Sequence, residues 1–287
     1  MKYQIPPKIA VINSLAGYGR CSVTEALPII SAMKAQACPV PTAIFSNHTG
    51  FPTHYGTDFT QHMRGYLSQW DALDLVFDGI YCGFLGNQEQ IPIVADFIRR
   101  QKEKGCSIIL VDPVMGDHGR TYRTITAAHC DALKELVTLA DIITPNITEA
   151  CLLTGLPWRE SGWQEQELIR LCGKLHDLGP KKIAITGLRC RTPGNSGGSF
   201  MNFVSQTQDD HPLPETTYHI APVAGPSRHG TGDIFASIVA ADAVKGSPFS
   251  ASVKKAADFI SACIRASEEL QIPETDGVCF ENFLHTL

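Results

Sequence analysis

The sequence predicts an α/β protein with a mainly parallel sheet that helices cover on both faces. Short β-branched runs alternate with longer helical patterns along most of the chain, as they do in successive βαβ units. Two later strand-like runs follow each other without a helix between them, so the sheet should end in an antiparallel edge. The length of 287 residues suits one large α/β domain. Because no repeat or linker divides the chain, we expect a single domain over residues 1–287.

The individual elements are bounded by Gly, Pro or Asn. Parallel strands are predicted at residues 8–14, 40–46, 75–82, 107–112, 141–144 and 182–186. Helices are predicted between them at residues 22–37, 58–70, 88–104, 126–139, 148–155 and 163–178. The antiparallel pair is predicted at 198–205 and 217–223, followed by long helices at 231–244 and 250–270. The loops at 191–198 and 208–215 flank this pair, where loops often cover a ligand.

Composition excludes several classes of protein. Hydrophobic residues make up 44% of the chain and charged residues 18%, which excludes disorder as the main state. The net charge of −5 and the lack of a basic run argue against a nucleic-acid partner. No apolar run approaches the roughly 20 residues of a membrane span, and the N-terminus lacks a signal-peptide pattern. The ten cysteines include no C-x-x-C pair, so we expect free thiols in a reducing cytoplasm.

The strongest local motif is Gly230-Thr231-Gly232-Asp233, where a loop enters a helix of small residues. Glycines let the backbone approach a ligand closely, and the N–H groups of a first helical turn can form an anion hole. An ionised carboxylate beside such a hole can accept the proton of an attacking hydroxyl. The alternative is that Asp233 only complements the helix dipole.

Acidic and amide side chains follow two predicted strands. Asp112 and Asp117 come at the end of one apolar strand, and Asn146 and Glu149 come after the next. Ligands of open α/β sheets bind at the carboxyl ends of the strands, and an acid there can hold magnesium. A structural role is also open, because Asn146 with Glu149 has the spacing of a capping box and Asp117 could simply form a turn.

Other known motifs do not fit. Gly17-Tyr18-Gly19 follows the first strand like a degenerate dinucleotide fingerprint, but the second strand ends without the acid that such a fold needs. The chain has no P-loop, G-x-S-x-G elbow or H-E-x-x-H motif. The polar tip at 46–50 is either a turn or, beside Ser14, a wall of a substrate site.

Together the motifs resemble the ribokinase-like superfamily, and specifically its pyridoxal kinase branch. The segment Phe45-Ser46-Asn47-His48-Thr49-Gly50, residues 111–117, residues 141–146 with Glu149, and residues 230–233 come in the family's order over nearly the whole chain. The resemblance implies a ribokinase-like three-layer sandwich with a central, mostly parallel sheet and an antiparallel edge. It also implies ATP-dependent phosphorylation of the 5′-hydroxymethyl group of pyridoxal, pyridoxine or pyridoxamine in vitamin B6 salvage, by a cytoplasmic homodimer.

The resemblance also implies roles for individual residues. Asp233 matches the catalytic base, and Gly230, Thr231 and Gly232 match the anion hole for the transferring phosphoryl group. Ser14, Thr49 and Phe84 match residues that hold the substrate ring beside Asp233. The nucleotide and cation region is matched by Asp112, Asn146, Glu149 and Thr186, with Asp117 and Glu149 near Mg²⁺ and with Thr144 in a region for a monovalent cation, K⁺ or Na⁺.

Substrate identity stays open at this point. Phe84 stands where pyridoxal kinases usually carry Tyr, so ring stacking is retained but a hydroxyl is lost. One alternative is a ribokinase-like kinase of another hydroxymethyl heterocycle, such as hydroxymethylpyrimidine. The other is a non-catalytic nucleotide- or vitamin-binding regulator, which would have no use for a base at Asp233.

Overall fold

A computed structural model describes residues 5–190, 198–208 and 213–287, and a nine-stranded sheet forms its centre. The strands of this sheet, in chain order, are β1 (Lys8–Ala16), β2 (Gln36–Phe45), β3 (Gly56–Asp58), β4 (Gly79–Cys82), β5 (Ile108–Val111), β8 (Ile142–Ile143), β9 (Lys182–Cys190), β10 (Ser199–Gln206) and β11 (Glu215–Pro222). Their order across the sheet is β11-β10-β9-β8-β5-β4-β1-β2-β3. The strands from β9 to β2 are parallel, whereas β10, β11 and β3 pair antiparallel.

Helices cover both faces of this sheet. They are α1 (Val23–Ala32), α2 (Thr60–Ala72), α3 (Gln90–Glu103), α4 (Ala127–Leu139), α5 (Ile147–Thr154), α6 (Glu165–His176), α7 (Thr231–Ala243) and α8 (Phe249–Glu269). Side chains alternate between the two faces of a strand. In β1, Ile9 and Val11 therefore join the core with α1, α7 and α8, while Ala10 and Ile12 join the core with α2 to α6. The predicted three-layer α/β architecture with an antiparallel edge is confirmed.

Two parts of the sheet structure were not predicted. Strand β3 gives the sheet a second antiparallel edge, and a separate hairpin pairs β6 (Gly116–Asp117) with β7 (Arg120–Thr121). Strands of two or three residues are too short for a period-two pattern to stand out. His118 and Gly119 join β6 to β7, and both have positive φ, of 50° and 75°, as two-residue hairpin turns of type I′ require.

Several predicted boundaries were wrong. The helix predicted at 22–37 ends at Ala32, because Lys34 adopts a left-handed conformation with φ 62° and Gln36 pairs with Lys8 in the sheet. The strand predicted at 75–82 begins only at Gly79. After the last predicted helix the chain forms two further 3-10 helices, Glu274–Asp276 and Glu281–Thr286. The predicted loops at 191–198 and 208–215 lie largely outside the described residues.

In the described residues, no helix combines the length and apolarity needed to cross a bilayer. The predicted site residues follow strands that end at one edge of the sheet. Parallel strands β1, β4, β5, β8 and β9 all end at this edge, where open α/β sheets bind ligands.

Candidate active site

The N-terminus of α7 forms one side of the site. Its N-cap residue, Gly230, has a left-handed conformation with φ 85°, and no side chain among the described residues caps the helix. A Cβ added at Gly230 would lie within 2.6 Å of the Glu25 carboxyl and the Arg20 carbonyl oxygen. Glycine is therefore required for both the conformation and the close approach. The uncapped N–H groups of the first turn remain available to an anion.

Asp233 lies in this first turn and is held by three hydrogen-bond donors. The Asn13 side-chain amide donates to Oδ1 at 2.8 Å, and the Tyr81 hydroxyl donates to the same oxygen at 3.2 Å. The backbone N–H of Ser22 donates to Oδ2 at 2.8 Å. Three donors that converge on one carboxylate fix its orientation and stabilise its ionised form.

Opposing effects set the proton affinity of Asp233. Burial raises its pKa, and the donors Ser22, Asn13 and Tyr81 oppose that rise. Burial also raises the pKa of Tyr81 well above its usual value, and the charge of Asp233 adds to this effect. The Tyr81 hydroxyl therefore stays protonated and serves as a donor. Asp233 itself is half-buried, whereas Asn13 and Tyr81 are fully buried.

Asn13 and Tyr81 were not predicted as site residues from the sequence. Asn13 accepts the N–H groups of Ser14 at 2.8 Å and Phe84 at 3.1 Å through Oδ1, which directs its amide nitrogen toward Asp233. Gly83 makes room for this amide, since a Cβ there would lie 2.5 Å from the Asn13 nitrogen. The signal was present, because a lone Asn inside an apolar strand needs partners when it is buried.

A cluster of acids faces α7 from the ends of β5 and β8. Asp112 accepts a hydrogen bond from the Thr144 hydroxyl at 3.2 Å, and a Cβ on Gly232 would lie 3.7 Å from Asp112. Burial raises the pKa of Asp112 well above its usual range, and the charges of Glu149 and Asp233 raise it further. Burial likewise raises the pKa of Glu149 to about 8. So much concentrated negative charge is what a bound cation would relieve.

The predicted capping box is present at the start of α5. The Asn146 side chain accepts the Glu149 N–H at 3.0 Å, and Glu149 accepts the Asn146 N–H at 2.9 Å. The other Glu149 oxygen accepts the Met115 N–H at 3.0 Å. Thr186 lies alongside, because its N–H donates to the Pro145 carbonyl oxygen at 2.9 Å. The structural role of Asn146 and Glu149 therefore holds, and the capping box fixes Glu149 within the acid cluster with Asn146 next to it.

Asp117 lies in the β6–β7 hairpin, where its carboxylate accepts the His118 N–H at 2.7 Å. Its charge contributes to the raised pKa of Glu149, so the two carboxylates lie near each other. Over residues 5–190, 198–208 and 213–287, no three His, Cys, Asp or Glu side chains converge into a complete metal site. The donor set fits Mg²⁺, which commonly uses one or two carboxylates and completes its shell with waters and phosphates.

The predicted substrate wall is only partly assembled around Asp233. Ser14 is buried and its hydroxyl donates to the Ser22 hydroxyl at 3.0 Å, and Phe84 is tied to the same network through Asn13. Thr49 lies in an exposed loop. His48 anchors this loop, since Nδ1 accepts the Gly50 N–H at 3.1 Å and Nε2 lies 2.6 Å from the Thr275 carbonyl oxygen.

A ring contact joins the Thr49 loop to the α7 entry loop. The His48 and His229 ring centroids are 4.5 Å apart, and His229 directly precedes Gly230. On the opposite wall, the Phe84 and Phe45 rings lie 6.4 Å apart at 59°. The structure therefore brings Ser14, Phe84 and Asp233 together by hydrogen bonds and connects Thr49 to them only through its neighbours.

Comparison with known proteins identifies the family. The phosphomethylpyrimidine kinase family model matches residues 27–278. This chain belongs to that family. A hydroxymethylpyrimidine/phosphomethylpyrimidine kinase of Haemophilus influenzae is 32% identical over 75% of this chain and 75% of its own length. The resemblance to ribokinase-like kinases is thereby confirmed.

Relatives with vitamin B6 chemistry match as well. A Bacteroides thetaiotaomicron protein, described as a phosphomethylpyrimidine kinase and crystallised with pyridoxal, is 32% identical with a TM-score of 0.89 over 99% of this chain and 96% of its own. A pyridoxal kinase of Arabidopsis thaliana is 29% identical over 70% of this chain. That match spans only 62% of the Arabidopsis protein.

Proposed function

We propose that this protein is an ATP-dependent kinase that phosphorylates the 5′-hydroxymethyl group of a vitamin B6 vitamer, with Asp233 as general base. The observation that carries the proposal is the setting of Asp233: a carboxylate oriented by three donors in the first turn of an uncapped helix, next to Gly230, Thr231 and Gly232. Kinases place a proton acceptor and an anion hole at one point in space, and this helix end supplies both.

The proton step follows from that geometry. The substrate hydroxyl loses its proton to Asp233 as the oxygen attacks phosphorus, and the bond to the leaving ADP oxygen breaks. Asp233 needs no strongly raised pKa, because bond formation to phosphorus acidifies the hydroxyl. Asn13, Tyr81 and the Ser22 N–H keep the carboxylate in one orientation, so the proton is accepted at a defined oxygen.

The charge of the transferring group has to be balanced by this edge of the sheet. The N–H groups at Gly230, Thr231 and Gly232 would face the developing negative charge. Asp117 and Glu149 would hold Mg²⁺, and Asp112, Thr144 and Thr186 would line a site for K⁺ or Na⁺. When bound, these cations supply charge neutralisation and orient the phosphates.

Two candidate substrates are each supported by relatives of this chain. The relative crystallised with pyridoxal and the Arabidopsis pyridoxal kinase favour a B6 vitamer. The family model and the Haemophilus relative favour hydroxymethylpyrimidine as the second candidate. We give the vitamer precedence because the segment 45–50 resembles pyridoxal kinases in particular. The third hypothesis, a non-catalytic binder, is disfavoured by the complete donor network around Asp233.

The test is a coupled assay of ADP release with pyridoxal, pyridoxine, pyridoxamine and hydroxymethylpyrimidine side by side. We expect release to depend on a B6 vitamer and to yield its 5′-phosphate. Release with hydroxymethylpyrimidine alone would establish the second candidate, and no release with any substrate would contradict kinase function altogether. F84Y sharpens the panel, because the added hydroxyl should change the ratio of KM values for pyridoxal and pyridoxamine.

The remaining expectations stay predictions of the same proposal. They are that residues 1–287 act as one kinase domain, that the protein forms a homodimer, and that it works in the cytoplasm. The single sheet from β11 to β3 supports the first, since Asp233, which follows β11 in the chain, is held by Asn13 of β1 and by Ser22 at the start of α1. Sedimentation of the purified chain tests the second.

A further inference from the structure

Glu25 is a second carboxyl group near the proposed base, and the proposed function assigns it no role. It lies in the first turn of α1 and is completely buried. Within the described residues, neither of its oxygens has a hydrogen-bond partner. Both oxygens pack against Gly230, the residue that begins the anion-binding turn. A buried carboxyl without partners destabilises a fold, so its position beside the catalytic loop calls for a functional explanation.

The hydrogen bonds of Ser22 explain why Glu25 has no partner. Ser22 is the N-cap of α1 and Glu25 is three residues later, which is the Ser-x-x-Glu spacing of a capping box. In a closed box, the Glu carboxyl accepts the N-cap N–H. Here the Ser22 N–H donates to Asp233 instead, and the Ser22 hydroxyl bonds within the Ser14 pair. Ser22 adopts φ 55°, a costly conformation that directs its N–H toward Asp233.

Two carboxyls therefore share one set of donors unequally. Asp233 has three donors, and Glu25 has none among the described residues. Two neighbouring carboxyls, one half-buried and one completely buried, do not both ionise readily, so the proton belongs on the completely buried Glu25. Burial raises the pKa of Glu25 well above its usual range, and the charge of Asp233 raises it further.

We propose that Glu25 is a positioning residue for Asp233: while protonated it leaves the Ser22 N–H to the base, and when ionised it competes for that N–H and adds a negative charge beside Gly230. Turnover is therefore lost as Glu25 ionises at alkaline pH. This inference rests on the proposed kinase function, because it assigns Asp233 as the base.

The other charged groups around Glu25 do not neutralise it. Arg20 lies in the preceding loop, and its charge opposes the rise in the pKa of Glu25. That guanidinium is bound to Glu281 at 2.7 Å and to the Asp276 carbonyl oxygen at 3.1 Å, so it is not paired with Glu25. Glu281 approaches from the C-terminal 3-10 helix and disfavours a second charge. Cys21 precedes α1 and Cys263 faces from α8, and the pKa of each thiol is raised mainly by burial, so both stay neutral.

The test compares pH profiles of the wild type with E25Q and E25L. E25Q keeps the shape of the side chain but cannot ionise. E25L also removes the hydrogen-bond acceptor. We expect wild-type kcat/KM to fall by about tenfold per pH unit above the ionisation of Glu25, and both variants to lack this limb, so that the variant to wild-type ratio rises with pH. D242N is the matched control: Asp242 is a buried acid at the far end of α7, paired with Lys245 and Lys255, and its removal should leave the wild-type pH profile.

A readout without turnover separates this inference from the proposed function. In ¹⁵N-labelled protein, the Ser22 amide signal should shift with pH in the wild type and stay fixed in E25Q. ADP binding measured by calorimetry should weaken over the same pH range only in the wild type. Identical profiles of the wild type and E25Q in the amide signal and in ADP binding would overturn the role of Glu25, whether or not a vitamer is phosphorylated.

Thermal stability provides a third test, because the direction in which it changes with pH can be predicted. Because the pKa of Glu25 is raised by folding, its effect on stability is least harmful below its unfolded pKa and grows as pH rises toward its folded pKa. The melting temperature of E25L should therefore exceed that of the wild type increasingly between acid and neutral pH. A constant difference at all pH values would mean that folding does not raise the pKa of Glu25, so that it is ionised in the folded protein at neutral pH, and would overturn the proposal.

Discussion

Helices α5 and α1 begin with the same pattern, a polar N-cap and a Glu three residues later, but only α5 closes its capping box. Asn146 and Glu149 exchange both hydrogen bonds. At α1, Ser22 gives its N–H to Asp233 and leaves Glu25 without a partner in the described chain. The difference shows that a donor of a helix cap can be diverted to another carboxylate, here the proposed general base, which leaves the buried Glu25 unpartnered.

The largest expected effect comes from removing the Asp233 carboxylate, which accepts the Ser22 N–H at the start of α1. D233N should lower kcat by roughly a hundredfold or more, which is the usual size of general-base catalysis, while ADP still binds. The measurement is steady-state kinetics together with calorimetry of nucleotide binding. Turnover close to that of the wild type would remove Asp233 from the mechanism.

The second effect concerns the glycine that separates the two carboxyls. G230A should lower kcat/KM by roughly tenfold to a hundredfold, because the added Cβ overlaps Glu25 and shifts the anion-binding turn. G155A is the matched control, since Gly155 also has positive φ, of 70°, but open space around it. G155A should cost only about 1–2 kcal/mol of stability. Equal losses of activity in the two variants would show that backbone strain, not the contact, matters.

Glu149 of the capping box at α5 should make the apparent affinity for Mg²⁺ depend on pH. Glu149 has a pKa of about 8, and a cation binds its ionised form, so apparent Mg²⁺ affinity should rise with pH by about tenfold per unit below that value. Kinetic titrations with Mg²⁺ from acid to alkaline pH measure this slope. E149Q, which cannot ionise, should lose it; an unchanged slope in E149Q would exclude Glu149 from the metal site.

The smallest effect tests the cap itself. N146A removes the acceptor of the Glu149 N–H and should cost about 1 kcal/mol in the free energy of unfolding. T126A removes an equivalent cap from α4, where the Thr126 hydroxyl accepts the His129 N–H at 3.1 Å, far from Asp233 in the sequence. Denaturant titration should give similar losses, and only N146A should also raise the KM for ATP. Equal KM values would limit Asn146 to its structural role.

Much of the fold was predictable because its signals are local. Alternating strand and helix patterns, the glycine-flanked Thr231 and the Asn146–Glu149 spacing each lie within a few residues of sequence. Strand β3 and the Asp117 hairpin were missed, because strands of two or three residues are defined by their partners rather than by periodicity. The helix predicted at 22–37 ran too far, since pairing of Gln36 with Lys8 overrode the helical preference of that segment.

The sequence by itself determined the α/β class, the kinase family and most of the acids at the edge of the sheet, because those depend on residue type and spacing along the chain. Only the tertiary structure decided which groups hold Asp233 and which buried carboxyl is left without donors. Asn13, Tyr81 and the Ser22 N–H come from separate segments that meet α7 only after folding, and the shortage of donors at Glu25 exists only once water is excluded.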